Sequence, residues 1–199
     1  MPTNSPGNMS SNKQESNLHR RVWNLIHRAP PHLIIIDPQF RRQPRHYFVQ
    51  SGLATIGMFA VLLLVDSFND AAVAAGLGAS VLIIFVHPSS KSATPRSLLG
   101  GHFLALLVGS AFSLALFILP IASVLDGVMP LRNLVLAALV GVLIVVMAVT
   151  DTEHPPAAGT VLGMSTRAWD PEVFAIIIGA VVLLAVIKRV LRRYLRDLI

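Results

Sequence analysis

Asp151-Thr152-Glu153-His154-Pro155-Pro156-Ala157-Ala158-Gly159-Thr160-Val161-Leu162-Gly163 is the stretch on which the fold of this chain turns. It sets two prolines, three ionisable side chains and two glycines between apolar runs of membrane-span character. In hydrocarbon every unpaired backbone amide or carbonyl is costly, so a segment that cannot form an unbroken helix persists there only where protein or a water-filled cavity satisfies it. Interruptions of this kind mark transport sites in membrane carriers.

The composition agrees. Of the 199 residues, 54% are hydrophobic and 13% charged, with a mean hydropathy of +0.67, which is a membrane protein rather than a soluble domain. Apolar runs occupy residues 47–65, 71–86, 98–119, 133–150 and 173–190. The organisation expected is a disordered lead at 1–17, a basic cytoplasmic juxtamembrane arm at 18–46, a transmembrane domain at 47–190 and a basic cytoplasmic tail at 191–199. The polar, basic first 46 residues hold no apolar core of a cleavable signal, so the first span is expected to direct insertion. Absence of cysteine excludes disulfides and thiolate chemistry. The net charge of +6 gathers at the chain ends, which favours anionic lipid headgroups over nucleic acid as its partner.

Basic residues also set the expected topology. Seven precede the first run (Lys13, Arg20, Arg21, Arg28, Arg41, Arg42, Arg45) and five follow the last (Lys188, Arg189, Arg192, Arg193, Arg196), so both termini belong to the cytoplasm. That requires an even number of crossings, and five obvious runs are odd. A sixth, broken crossing at His154-Pro155-Pro156 leaves only Arg132 and Arg167 outside; the alternative is a re-entrant hairpin with the basic tail exported. The fold class expected is therefore all-α: a polytopic helical membrane protein of about six crossing segments with a broken or re-entrant His-Pro-Pro segment. Gly78-Ala79-Ser80-Val81-Leu82 faintly matches Ala158-Gly159-Thr160-Val161-Leu162, which suggests two inverted three-helix repeats.

The chemistry centres on the break. Pro155 and Pro156 suit the first turn of a short helix, with Thr152 or His154 as the cap. Free amides at that helix start, from Ala157 to Thr160, would offer an anion site that needs no lysine. Gly159 permits close approach, Thr160 brings a hydroxyl, and His154 donates to the solute or carries a proton. Gly78, Ala79 and Ser80 are the matching candidates on the second run. Asp151, Glu153, Arg96 and His102 are the expected gate or proton path, with Arg96 or Lys91 pairing the carboxylates. Stripes at Gly101, Ala105 and Gly109, at Ala137 and Gly141, and at Ala175 and Gly179 read as close helix packing. The tail from Lys188 to Arg196 reads as a helix running out of the last span onto anionic headgroups. Glu153-His154 lacks the second histidine of a zincin, and no phosphate-binding glycine loop occurs, so an enzyme, a metal and a cofactor are all unexpected.

The blocks Gly78-Ala79-Ser80-Val81-Leu82-Ile83-Ile84-Phe85, Pro88, Pro95-Arg96, Gly100-Gly101-His102 and His154-Pro155-Pro156-Ala157-Ala158-Gly159-Thr160 resemble, in this order, the HPP family of small integral membrane proteins. The resemblance covers roughly residues 45–190 and implies about four transmembrane helices around the His-Pro-Pro signature. It also implies transport of a nitrite-like anion, since plant and cyanobacterial members are associated with nitrite. His87, Lys91 and the order Ala158-Gly159 depart from the family pattern. Together these readings describe a bacterial inner-membrane transporter or channel for a small polar or anionic solute, proton-coupled if coupled at all. The alternative is a non-transporting scaffold or sensor. Expected partners are the solute and anionic lipids at both basic termini, with a homo-oligomer left open.

Overall fold

The computed structural model describes residues 38–65, 71–118 and 129–199; the readings of the lead at 1–17 and of the arm as far as residue 37 lie outside these. The described residues form seven α-helices, one 3-10 turn at Lys91–Ala93 and no strand. The helices are α1 (Pro38–Arg42), α2 (Pro44–Val65), α3 (Ala71–Val86), α4 (Pro95–Ile118), α5 (Met129–Thr150), α6 (Ala157–Ser165) and α7 (Pro171–Leu191). Short α1 belongs to one unit, and the described residues from Gln43 onward belong to the other.

Four helices, α2, α4, α5 and α7, are long and apolar enough to cross a bilayer, and α3 is a shorter apolar helix of 16 residues. Each long helix begins at or beside a proline (Pro44, Pro95, Pro130, Pro171), a few residues ahead of the apolar run itself. Proline is harmless there, because the first amides of a helix have no intrahelical acceptor and the fixed φ already suits the helix. Two of these starts also carry a side-chain cap. Thr94 Oγ1 accepts from the Ser97 amide at 3.2 Å ahead of α4, and Asp170 Oδ1 accepts from the Glu172 amide at 2.8 Å ahead of α7.

α5 ends in a Schellman motif. Asp151 takes the left-handed conformation at φ 55°, its amide donates to Ala148 O, and the Thr152 amide reaches back to Met147 O at 3.0 Å. The chain then turns through Thr152–Pro156 into α6, whose nine residues rise only about 14 Å of a hydrocarbon core about 30 Å thick. α6 lies between α3 and α4, and runs in the same direction as α4. Gly101 faces His154, Gly109 faces Val161 and Met164, and Ser113 Oγ donates to Arg167 O at 2.6 Å. Two apolar clusters support it: one joins α2, α3, α4 and α7 around Leu77, Ile84, Leu106, Ile177 and Leu184, and the other joins α4, α5 and α6 around Ala105, Leu143, Ala157 and Val161.

The tail departs from expectation. α7 stops at Leu191, and the residues after it fold back as a strap under the ends of α2 and α3 instead of continuing as a helix. The Leu198 amide donates to Val86 O at 2.9 Å, and Tyr47 Oη donates to Leu198 O. Buried Gln50 donates through Nε2 to Phe85 O and Arg196 O, and accepts the Arg196 amide on Oε1. The physical reason is the α3 terminus, whose last carbonyls have no intrahelical donor. Gln50 and Leu198 supply donors that a tail lying on lipid would not.

Candidate functional site

The break holds a buried polar cluster. His154 enters from the turn before α6, His102 from α4, Ser80 from α3 and Thr160 from α6 itself, and all four are fully buried. Ser80 Oγ stands 2.9 Å from both His102 Nε2 and His154 Nε2. His102 Nδ1 is 2.8 Å from Thr160 Oγ1, and His154 Nδ1 donates to Ser92 O at 2.7 Å. Ser80 Oγ also lies 2.9 Å from Gly76 O, the carbonyl one turn earlier on α3. The two rings are tilted by 55° with centroids 5.0 Å apart. Ser80 and Thr160, the corresponding third positions of the two matching pentapeptides, thus take opposite nitrogens of a single imidazole.

Glycines make this approach feasible. A Cβ on Gly76 would stand 2.8 Å from Pro156 O, and one on Gly101 would stand 2.6 Å from the His154 Cβ. One on Gly109 would stand 2.7 Å from the Met164 Cβ, so the stripe Gly101, Ala105, Gly109 does seat a neighbouring helix. Gly141 is different: a Cβ there would meet nothing within 4 Å, and one on Gly179 would meet only Leu64, at 3.7 Å.

Above the cluster lies the turn Lys91–Ala93. His154 holds it through Ser92 O, Lys188 Nζ donates to Pro88 O at 2.9 Å and also to Ala93 O, and Lys91 pairs with Asp151 at 2.6 Å. Both members of that pair are 59% exposed, so it is a surface contact. The hydrogen bond and charge of Asp151 hold the Lys91 ammonium above its ordinary value, and Lys91 in the same way holds the Asp151 carboxyl below its own. Arg96 Nη2 donates to Thr150 O at 2.9 Å, closing the end of α5.

The structure therefore divides the residues expected at the site. His154, Ser80, Thr160 and His102 meet. Asp151 and Arg96 stay at the rim, Asp151 paired with Lys91 as expected. Glu153, Pro155 and Ala158 line a hollow of about 360 Å³ against α5. Gly78 and Ala79 turn away from the cluster: Gly78 lines a separate hollow of about 560 Å³ beside Met58, and Ala79 is exposed. Gly76 occupies the place expected of them, because residues one helical turn before Ser80 share its face and those one or two before it do not.

Two finer expectations are corrected. Neither Thr152 nor His154 caps α6 with its side chain: Thr152 Oγ1 pairs with Thr150 Oγ1 at 2.8 Å, His154 points to Ser92, and Pro156 stands at the cap position. Nor are the first amides free, since those of Ala157, Ala158 and Gly159 donate to the carbonyls of His154, Pro155 and Pro156 at 3.0–3.1 Å. Two partners escape the sequence reading. Gly76 is legible from its spacing to Ser80, whereas Ser92, which acts through a loop carbonyl, leaves no sequence signal.

A family profile described as HPP, transmembrane region, matches residues 39–195. No curated protein and no solved structure matches the chain. The match covers the helices, the glycine seats and the histidine–serine–histidine cluster alike, and the chain belongs to the HPP family of transmembrane proteins.

Proposed function

We propose that this protein carries a small polar or anionic solute, nitrite-like by family resemblance, across a bacterial inner membrane, with proton coupling and with both termini in the cytoplasm. The observation that carries the reading is the cluster itself: two imidazoles and two hydroxyls buried where a short helix breaks between apolar neighbours. Polar groups at such depth are costly and are kept for pathways or sites. The common direction of α4 and α6 supports a sixth, broken crossing over a re-entrant hairpin, and the meeting of Ser80 and Thr160 on His102 supports two inverted repeats.

His154, Ser80 and Thr160 are the solute-contacting groups of this reading, whose hydroxyl and imidazole hydrogens would turn from their protein partners to the solute. The Lys91–Ala93 turn is its gate, and the Lys91–Asp151 pair is the latch. Arg96 braces the far side of the same opening through Thr150 O. Basic residues at both ends would sit among anionic headgroups. The role is that of a carrier, not an enzyme.

Uptake of nitrite into vesicles containing the purified protein tests this. Wild-type protein is expected to exceed empty vesicles, and His154→Ala, expressed at an equal level, to fall to their rate; equal uptake by the variant overturns the role of His154. Nitrite, nitrate or formate is also expected to raise the unfolding temperature, because a ligand that prefers the folded state stabilises it.

One observation favours a second reading, a non-transporting scaffold or sensor: all four side chains of the cluster are fully buried and have protein partners. Vesicles that take up none of these anions, with an unfolding temperature that none of them shifts, would select it.

A further inference from the structure

Hydrogens can be assigned to the cluster by elimination. The Ser92 carbonyl only accepts, so His154 Nδ1 carries a hydrogen, and in a neutral ring Nε2 is then an acceptor. Its neighbour at 2.9 Å is Ser80 Oγ, which owns a single hydrogen and must donate it there. Ser80 Oγ then accepts from His102 Nε2, leaving His102 Nδ1 to accept from Thr160 Oγ1. The opposite tautomer of His102 would claim the Ser80 hydrogen and set two lone pairs against each other at His154. Gly76 O can also accept the Ser80 hydrogen on its second lone pair, but that arrangement leaves His154 Nε2 without a donor. Two neutral rings thus give every ring nitrogen a partner in one order only, from Thr160 through His102 and Ser80 to His154, with Gly76 O left to its helical donor.

We propose that Thr160, His102, Ser80 and His154 form an ordered proton relay, leading from the bundle interior to the loop side and stopped there by the Ser92 carbonyl. The inference rests on the transport reading, for which it supplies the proton path. Of the expected proton path it keeps His102 and leaves out Asp151 and Arg96, which lie at the rim, and Glu153, which lines the hollow against α5.

The step balances. Thr160 Oγ1 takes a proton from a hydronium ion that reaches it from the bundle interior, leaving water behind, as it gives its own to His102 Nδ1. His102 releases its Nε2 hydrogen to Ser80 Oγ, and Ser80 releases its own to His154 Nε2. His154 then loses its Nδ1 hydrogen to water, so that one proton enters, one leaves and no residue changes charge. Ser92 O is no base, and the last transfer waits until the Lys91–Ala93 turn lifts and water replaces the carbonyl. After passage His154 Nδ1 is bare, and the turn cannot close on it without setting two acceptors together. Closing therefore requires the chain to be reset, with Gly76 O offering the Ser80 hydrogen a resting place as it swings. Passage of the proton and movement of the gate are tied by a single hydrogen bond.

Nitrogen-15 NMR of histidine-labelled wild-type protein in nanodiscs reads the tautomers directly. His154 is expected as the Nδ1–H form and His102 as the Nε2–H form, and the opposite form at either ring overturns the relay. The functional arm uses His102→Gln, which can still donate to Ser80 but cannot pass a proton on. In vesicles with an internal pH dye and an imposed nitrite gradient, wild type is expected to move protons with nitrite, and nitrite-linked proton movement in the variant to fall to that of empty vesicles. Proton movement equal to wild type, or nitrite movement by wild type without protons, overturns the relay and leaves transport standing. If wild type moves no nitrite, the transport reading fails instead. The relay is then judged by proton entry under a valinomycin–potassium potential, where entry in wild type that His102→Gln lacks sustains it and no entry in wild type overturns it.

Discussion

Gly76 of α3 and Gly159 of α6 meet backbone to backbone: a Cβ on Gly159 would stand 2.8 Å from the Gly76 Cα and 2.6 Å from Ala72 O. No side chain lies between the two helices at this crossing, which brings Ser80 and Thr160, each a short way along its helix, onto the same imidazole.

Gly159→Ala or Gly76→Ala must push backbone against backbone, which has no flexible end to yield. Overpacking of this kind costs about 1–3 kcal/mol. The matched control is Gly141→Ala on α5, where a methyl meets nothing within 4 Å. That change is expected to be neutral or to stabilise by up to about 1 kcal/mol through helix propensity. Thermal unfolding in one detergent ranks the three, and a Gly159→Ala protein as stable as Gly141→Ala would contradict the crossing.

Replacing His154 by Ala removes the donor to Ser92 O, and an acceptor left unpaired there costs about 1–3 kcal/mol, whereas Ser80 Oγ keeps His102 Nε2 and Gly76 O. His154→Asn, whose amide nitrogen reaches where Nδ1 did, is expected to recover part of that stability by holding Ser92 O while remaining inactive in uptake. Unfolding temperatures and uptake measured together separate the two roles of the ring.

Gln50→Ala is expected to free the tail. Gln50 is 1% exposed and ties Phe85 O to both the amide and the carbonyl of Arg196. Its loss leaves the α3 terminus short of a donor, a cost of about 1–3 kcal/mol. Hydrogen exchange at the Arg196 and Leu198 amides should accelerate, and unchanged protection at both would show that the strap holds without Gln50.

The Lys91–Asp151 latch has a pH window. Asp151 is held below its ordinary value of 3.8, so its contribution is present above that value and lost as pH falls through the depressed one. Lys91 is held above its ordinary 10.5, so its share is present below that value and lost as pH rises through the raised one. The pair is therefore intact across neutral pH. Carboxyl carbon-13 shifts of Asp151 should titrate below the usual carboxylate range and return to it in Lys91→Met. Both groups are exposed, so added salt should shrink the difference.

Several elements are legible without any tertiary contact. The apolar run from 71 to 86 matches α3 at both ends, and the long helices differ from their apolar runs chiefly in starting at Pro44, Pro95, Pro130 and Pro171. Hydropathy alone misses those starts, since it scores proline and its polar neighbours as loop although the first helical turn accepts them. The site is half legible. His154, Ser80, Thr160 and His102 all stand out in the sequence, but Gly78 and Ala79 join them there only because adjacency along the chain passes for adjacency in space. On a helix the shared face recurs every three or four residues, which points to Gly76 instead.

What the chain determines by itself is local: where apolar length permits a helix, where Pro155 and Pro156 forbid its continuation, and which short segment cannot cross unaided. These follow from hydropathy and from the fixed geometry of proline, neither of which needs a distant partner. Tertiary structure decided the pairings, joining Ser80 to residues 22 and 74 positions away and His154 to a loop carbonyl 62 positions away. Such bonds depend on how closely helices approach, and the approach is set where Gly76 meets Gly159 and Gly101 meets His154. A hydroxyl or an imidazole finds its partner only after the backbones have packed, so the sequence names the polar groups and the packing chooses their company.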